Sequence, residues 1–481
     1  MKIYLLNPPF KLGFCRSVRG SGEVSRGGTL YYPICLCYAA GVLEQSHEVR
    51  LVDAQARKWD LKSVLADVKQ YAPDLVVVDT NFACLNNDLD ISSHIKEATG
   101  AITVIVGPPV AQYSARILSH LGIDIAVKYE YDITLRELAK AIELGLDYSQ
   151  VAGISYMKNG TLVENPLRPF THNDDLDQIP FVSKVYHNHL NIKDYFLSSS
   201  LYPLVQIFTG RGCPNQCTFC SWPSNLMGRK YRVRSVSNVL DELSWIQDNL
   251  NVKEVFFEDD TFTISKDRVL EFCNGYLRRG LDLPWSCNAR VNTLDLETMK
   301  AMKKANCRLL ITGYESGSEE ILKNIKKGTT LQQMRDFARN AKKARLMVHG
   351  DFIIGLPGET KETIILTKTM IKDLKPELLQ VLIPQPIPGT ELYAQYKRNG
   401  YLLVDDPSDY LDNEGYQKPV ISYPALSNQD LVCEANDILR GYYLSLGYLP
   451  LAMRQIFRKN GLDEVKRLWY SAKMFMGYTS Q

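Results

Sequence analysis

Gly210-Arg-Gly-Cys213-Pro-Asn-Gln-Cys217-Thr-Phe-Cys220-Ser-Trp-Pro223 places three cysteines in one short loop, three residues between the first two and two between the next. The run before it, residues 204–208, is apolar and is stopped by Thr209-Gly210, so it reads as a buried strand. The triad therefore sits at the carboxyl end of a strand, where α/β barrels and open α/β sheets carry their chemistry. Thiolates are soft ligands suited to iron–sulfur clusters, and a four-iron cluster normally takes four. Three in one loop leave one iron with an open position. Two plainer readings compete. Cys217-Thr-Phe-Cys220 alone has the form of a redox dithiol or half of a zinc site, which Cys273, Cys287, Cys307 or His349 would complete.

Outward from that loop, 481 residues call for two or three domains, and 45% hydrophobic with 23% charged residues is the balance of a chain with real cores. A formal charge of +2 gives no reason to expect a nucleic-acid partner. Eleven cysteines, an odd number, without a secretory leader fit reduced thiols in a cytoplasm. No apolar run reaches the length of a membrane span. A peripheral contact at the inner face of a membrane stays compatible with the composition.

Residues 1–150 alternate strand and helix. Strands are expected at 2–6, 49–52, 75–78, 103–106 and 123–127, and helices at 32–44, 61–71, 91–99, 111–121 and 134–144, with a glycine-rich loop over 11–28. That alternation predicts a doubly wound, mostly parallel sheet. Its strand tips, Asn7-Pro8-Pro9, Asp53, Thr80-Asn81, Gly107-Pro108 and Glu130, would line one ligand-binding edge. Residues 151–200 read as a connector. Asn159-Gly160 marks a hairpin turn, 173–177 reads as loop, and His187 and His189 would share one face if extended, either as a metal pair or as surface histidines.

Residues 201–396 alternate again, with polar residues closing each strand: Glu258-Asp259-Asp260, Asn288-Ala-Arg290, Glu315-Ser316-Gly317, Gly355-Leu-Pro-Gly358-Glu359 and Pro384-Gln385-Pro386. With the cluster strand this makes six, an incomplete (β/α) barrel open on one side. Residues 397–481 change character. Helices are expected at 428–443 and 449–476, the second mixing Arg454, Arg458, Lys459, Lys466, Arg467 and Lys473 with aromatics and Met. That tail reads as an amphipathic surface helix facing membrane or anionic substrate, or as the solvated face of a capping helix pair.

The cysteine spacing, with an aromatic before the third cysteine, resembles the radical S-adenosylmethionine (SAM) superfamily. The resemblance implies that Cys213, Cys217 and Cys220 hold a [4Fe–4S] cluster whose open iron binds SAM and whose electron cleaves it to a 5′-deoxyadenosyl radical. SAM carries an ammonium, a carboxylate, a ribose and an adenine. Asp259, Asp260 and Glu315 are candidates for the ammonium or ribose, Arg290 for the carboxylate, and Phe219 for the adenine. Ser316, Gly355 and Gly358 would bring backbone close. Cys287, near a strand end, is a candidate hydrogen-atom donor or plain barrel lining. The remaining thiols read as small buried hydrophobes. The first 150 residues resemble the cobalamin-binding domain of one class of this superfamily. That likeness implies cobalamin over Asn7, Pro8, Asp53, Thr80, Asn81, Gly107, Pro108 and Glu130. The Asp-x-His-x-x-Gly ligand motif is absent, which argues against a histidine ligand to cobalt and, more weakly, against cobalamin, and admits a domain kept for packing or substrate binding.

Tyr231-Arg-Val-Arg-Ser235, Phe256-Phe-Glu-Asp-Asp-Thr-Phe-Thr263, Gly313-Tyr-Glu-Ser-Gly317 and His349-Gly-Asp-Phe-Ile353 further resemble the hopanoid-biosynthesis enzymes that build a cyclitol ether headgroup. The implied activity is radical rearrangement or cyclisation of a sugar or polyol headgroup on a polyisoprenoid lipid. Alternatives are a cobalamin-dependent C-methyltransferase, in which the corrinoid hands a methyl group to a substrate radical, and a non-catalytic corrinoid or electron carrier. The expected partners are a small-molecule or lipid-linked substrate and a flavodoxin- or ferredoxin-type reductant.

Overall fold

Short Val, Ile and Leu runs closed by Asn or Asp build the first half of the molecule. The computed structural model describes residues 1–16, 22–25, 27–457 and 461–469. Strands β1 (Lys2–Asn7), β2 (Glu48–Asp53), β3 (Leu75–Asp79), β4 (Ile102–Val106), β5 (Ile125–Val127), β6 (Ile154–Lys158) and β7 (Thr161–Glu164) form one sheet in the order β2-β1-β3-β4-β5-β6-β7. The first five are parallel. Ile3 and Leu5 enter the core on one face, Tyr4 and Leu6 the core on the other. Burial on both faces is why these strands read as continuous apolar runs. The Asn159-Gly160 hairpin lies inside the segment expected as a connector. It adds β6 and β7 antiparallel to the sheet instead.

The second half is a six-stranded parallel arc of β8 (Leu204–Ile207), β9 (Glu254–Phe257), β10 (Trp285–Ala289), β11 (Cys307–Glu315), β12 (Met347–Ile353) and β13 (Leu378–Leu382), paired in chain order. Helices between the strands cover its outer side. Leu331–Ala344 shows why they form: Thr330 and Gln333 make a capping box, and Met334, Phe337, Ala341 and Ala344 present one buried stripe. Phe257 and Trp285 stack on each other and meet Phe272 of helix Lys266–Arg278, which identifies the outward face of β9 and β10.

The halves share a core. All ten residues of helix Ile34–Leu43 are buried, the signature of a helix packed on every side. The Tyr32 hydroxyl, one residue before the Pro33 cap, donates to the Leu204 carbonyl at 2.9 Å, and Phe208 N donates to the Tyr38 hydroxyl at 2.9 Å. The sheet is thereby fixed to the strand that precedes the cysteine loop.

Three expectations need correction. Residues 173–177 are not all loop, because Asn173–Leu176 forms a helical turn. His187 and His189 lie on helix Val182–His189, where residues two apart diverge. His189 pairs with Glu44 while His187 edges onto Trp245, so they form no metal pair. The helix expected over 449–476 stops at Ile456, and 461–469 form a separate helical stretch. Arg458, Lys459 and Lys473 lie outside the described residues. Arg467 is not on a solvated or membrane-facing surface. It is 4% exposed and joins Glu464 and Arg308 beneath the barrel. No described helix is long and apolar enough to cross a membrane.

Candidate functional site

The cysteine loop leaves the carboxyl end of β8 and is closed at its base by a two-stranded ribbon, Gly210–Arg211 with Arg232–Val233. Gly212 adopts φ +82°, and a Cβ there would meet the Lys230 carbonyl at 2.3 Å, so only glycine lets the two sides approach. Both ribbon arginines are anchored to residues that follow strand β5 of the first sheet: Arg211 to Asp132 at 2.7 Å, Arg232 to Glu130 at 2.8 Å. The middle of the loop is held by Thr218 N donating to the Ile325 carbonyl and Leu392 N to the Thr218 carbonyl, each at 3.0 Å. Three thiols are thus presented on a fixed frame, Cys217 buried and Cys213 and Cys220 half-buried. Burial, helped by Asp260, Cys217 and Cys213, pushes the Cys220 thiol up to about 12. Metal-free, Cys220 favours protonated sulfur, and a thiolate there calls for a compensating positive centre. Among the described residues no three His, Cys, Asp or Glu converge on a single ion. A cluster takes one thiolate per iron and spreads its ligands wider.

Beside Cys217 stand two cations. Arg290, 7% exposed, lies with Nη1 3.8 Å from the Cys217 sulfur and Nε donating to Asn292 at 3.0 Å, and it has no carboxylate partner among the described residues. A buried guanidinium without an anion is costly unless a ligand supplies one. Lys327 is likewise buried, with Nζ 2.6 Å from Glu315. Burial works to lower its pKa, and Glu315 and Cys217 overcome that, so the net direction is up. Glu315 sits at φ +68° where the β11–β12 register shifts. Gly313 makes its room, since a Cβ there would fall 2.0 Å from the Glu315 Oε1. Such a strained non-glycine residue is maintained only by its surroundings. Phe219 packs against Ile321, Ile325, Ile353 and Leu356. Gly355 and Gly358 both take positive φ in a turn whose Gly355 and Leu356 amides donate to Glu359. Sequence reasoning missed Lys327 and Glu359. Lys327 lies in a lysine pair that resembles solvent-facing charge, and only the fold brings it to Glu315.

Other candidates are drawn elsewhere. Both Asp259 oxygens accept from Thr209, its N and Oγ1, at 2.6 Å, so this residue braces the base of the cysteine loop. Asp260 stands close enough to Cys220 to act on its thiol. Ser316 is fully buried and faces Thr367 on an outer helix, with Oγ accepting from Ser318 N. Cys287 shares the outward face of Trp285 and sits with Cys273 and Cys307 in the apolar layer under the helices, where burial raises its thiol. That position separates it from the barrel interior and removes it as a hydrogen-atom donor.

At the first sheet's edge several expected contacts are spent on structure. Asp53 accepts from Asn7, Tyr195 and the Ala56 amide, and Glu130 from Thr171 N and Arg232. Thr80 donates to Asp88, which also takes Arg16 at 2.8 Å. Gly107, at φ +115°, brings its backbone against that of Thr80, and Pro8 and Pro108 flank these tips. What remains open is a row of buried atoms without hydrogen-bond partners among the described residues: Asn7 Oδ1, Asn81 Nδ2 and the Tyr131 hydroxyl. Buried polar atoms are nearly always partnered, so three on one edge fit a polar ligand.

Comparison with known proteins is consistent with this geometry. A family profile described as the radical SAM superfamily matches residues 207–371. The chain is 31% identical over 464 residues to an uncharacterized methyltransferase of Pyrococcus horikoshii, covering 96% of each. It is 25% identical to an anaerobic magnesium-protoporphyrin IX monomethyl ester cyclase of Cereibacter sphaeroides over 86% of this chain and 67% of that one. The fold matches that of the radical SAM methyltransferase TsrM from Kitasatospora setae, solved with cobalamin and a [4Fe–4S] cluster, at a TM-score of 0.74, 18% identity and 99% of each chain.

Proposed function

Because this chain belongs to the radical SAM superfamily, we propose that it is a cobalamin-dependent methyltransferase acting on an unactivated carbon of a small-molecule or lipid-linked substrate. The observation that carries the SAM site in this reading is Arg290, a buried cation without a carboxylate partner among the described residues, 3.8 Å from Cys217. In this reading Cys213, Cys217 and Cys220 hold a [4Fe–4S] cluster, and Arg290 with Lys327 receives the carboxylate of SAM. Phe219 packs on the adenine, and Asp260 and Glu315 accept from its ammonium or ribose. Asn7, Asn81 and Tyr131 would hold the amides of a corrinoid at the sheet edge that Pro8, Thr80, Gly107 and Pro108 also form. When bound, the reduced cluster supplies the electron that cleaves SAM, and the corrinoid supplies the methyl group. The protein's contribution is position: the pinned loop fixes the cysteines, and the sheet edge faces them across a common core. A flavodoxin- or ferredoxin-type reductant is the proposed electron source.

Methyl transfer is preferred to rearrangement of a polyisoprenoid headgroup because the relative matched along nearly its whole length is named a methyltransferase. The cyclase relative keeps radical ring closure as the second reading. A non-catalytic carrier is disfavoured, since it has no use for an unpaired Arg290 beside a thiol. The test is anaerobic purification with cobalamin supplied, iron and corrinoid analysis, and incubation of a cell extract with methyl-deuterated SAM. A corrinoid-loaded protein giving a product heavier by one labelled methyl group is expected. A product that has lost hydrogens and carries no label would select ring closure.

A further inference from the structure

Along β10 to β13 the residues open to water alternate with buried ones. Asn288, Ile311, Gly313, His349, Asp351 and Gln380 are accessible, while Thr312, Gly350 and Leu379 between them are buried. The parallel register aligns Asn288 with Ile311 and His349, and Gly313 with Asp351 and Gln380. All six therefore share the inner face, and the open side of the arc holds a water-accessible lumen.

Within it His349 Nε2 stands 3.4 Å from Asp351 Oδ1, the side chains 16% and 22% exposed. His349 Nδ1 and Asp351 Oδ1 are nonetheless buried atoms with no hydrogen-bond partner among the described residues. Neither is used by the sites described above. We propose that His349 and Asp351 are the substrate-positioning pair of this lumen, binding a hydroxyl or amino group next to the reacting carbon. The inference rests on the radical SAM reading for the words "reacting carbon" and on nothing else in it.

The choice of a hydrogen-bond donor follows from charge. Glu315 is neutralised by Lys327, Arg290 faces Cys217, and Glu258 adds a carboxylate deeper in the wall, hydrogen-bonded by Gln206 at 2.7 Å. Among the described residues the cation that acts on Asp351 is Lys327, which is already paired with Glu315. Burial, with Arg467 below, lowers His349 to about 4, which leaves the ring neutral and one nitrogen an acceptor. Burial, with Glu315 nearby, also pushes Asp351 up, and a lumen of that potential suits a hydroxyl or an ammonium and disfavours a carboxylate or phosphate.

Three probes of one shape test this on the iron-loaded full chain under anaerobic conditions: cyclohexanol, cyclohexylamine and cyclohexanecarboxylate, followed by saturation-transfer NMR. The alcohol or the amine should bind and the carboxylate should not. His349→Leu and Asp351→Leu should weaken that binding by about tenfold while leaving iron content and the SAM-induced change in the cluster spectrum as in the wild type. Equal binding of all three probes, no binding by any, or unchanged binding in both variants overturns the proposal. The wild-type preference among probes reads out even if a variant fails to fold. Loss of the SAM-induced spectral change in the wild type would instead count against the radical SAM reading.

Discussion

Arg308 and Arg290 are both buried arginines of the same barrel, one at each end of its strands. Arg308, beneath the barrel, is surrounded by Glu254 at 2.8 Å, Glu464 at 2.6 Å and the Ser199 carbonyl, and Arg467 completes the set by pairing with Glu464 at 2.8 Å. Arg290, at the top beside Cys217, has a single side-chain amide and a sulfur. The lower end is a closed account of charges and holds the structure together. The upper end leaves a cation unpaired, and an unpaired buried cation is evidence for a ligand.

The largest effect should come from removing the metal frame at the upper end. Cys217→Ala is expected to lose its iron and to reduce deoxyadenosine formation to background, measured by metal analysis and chromatography. Next, the two arginines can be exchanged for Met. Arg308→Met should destabilise the fold by about 3–5 kcal/mol, because Glu254 is left buried and unpaired; chemical denaturation reads this. Arg290→Met should change stability far less and weaken SAM binding by about 10- to 100-fold. If the two variants behave alike, the contrast between the ends fails.

Protonation sharpens the same contrast. At the lower end burial pushes Glu464 up, but Arg308 and Arg467 overcome it, so its folded pKa lies below the usual 4.5. Its stabilisation is present above about 4.5 and fades as pH falls through the folded value. At the upper end burial raises Glu359 to about 6 despite Thr363 and the Gly355 amide. That carboxyl binds its proton more tightly folded than unfolded, so stability falls as pH rises from 4.5 to about 6, by about 2 kcal/mol. Glu464→Gln should flatten the acid limb of a denaturation series, and Glu359→Gln the fall between pH 4.5 and 6. The smallest effect belongs to neither end. Thr330→Ala, which removes a helix cap, should cost about 1 kcal/mol and leave iron content and SAM binding unchanged.

The sequence carries both sheets plainly, because doubly buried strands are unbroken apolar runs and each ends in a turn residue. The cysteine loop is legible for the same reason: its ligands are neighbours in the chain. Pairing across long separations is not legible. Asp259 and Ser316 have the residue types of SAM contacts, yet Thr209 and Thr367, about fifty positions away, engage them first. Arg467 resembles a surface charge until Arg308 and Glu464 are brought together from 156 positions apart. His349 and Asp351 carry a signal of another kind, two polar residues alternating on a buried strand. Cys287 follows the opposite parity, which puts it under the helices.

The most direct test of the unpaired cation beside three thiols is electron paramagnetic resonance of the anaerobically reconstituted, reduced protein with and without SAM. The expected result is a four-iron cluster signal, at about four irons per chain, that changes when SAM is added, changes in Arg290→Met only at about 10- to 100-fold higher SAM, and is absent in Cys217→Ala. An iron-free wild type, or a cluster signal indifferent to SAM, would contradict the account.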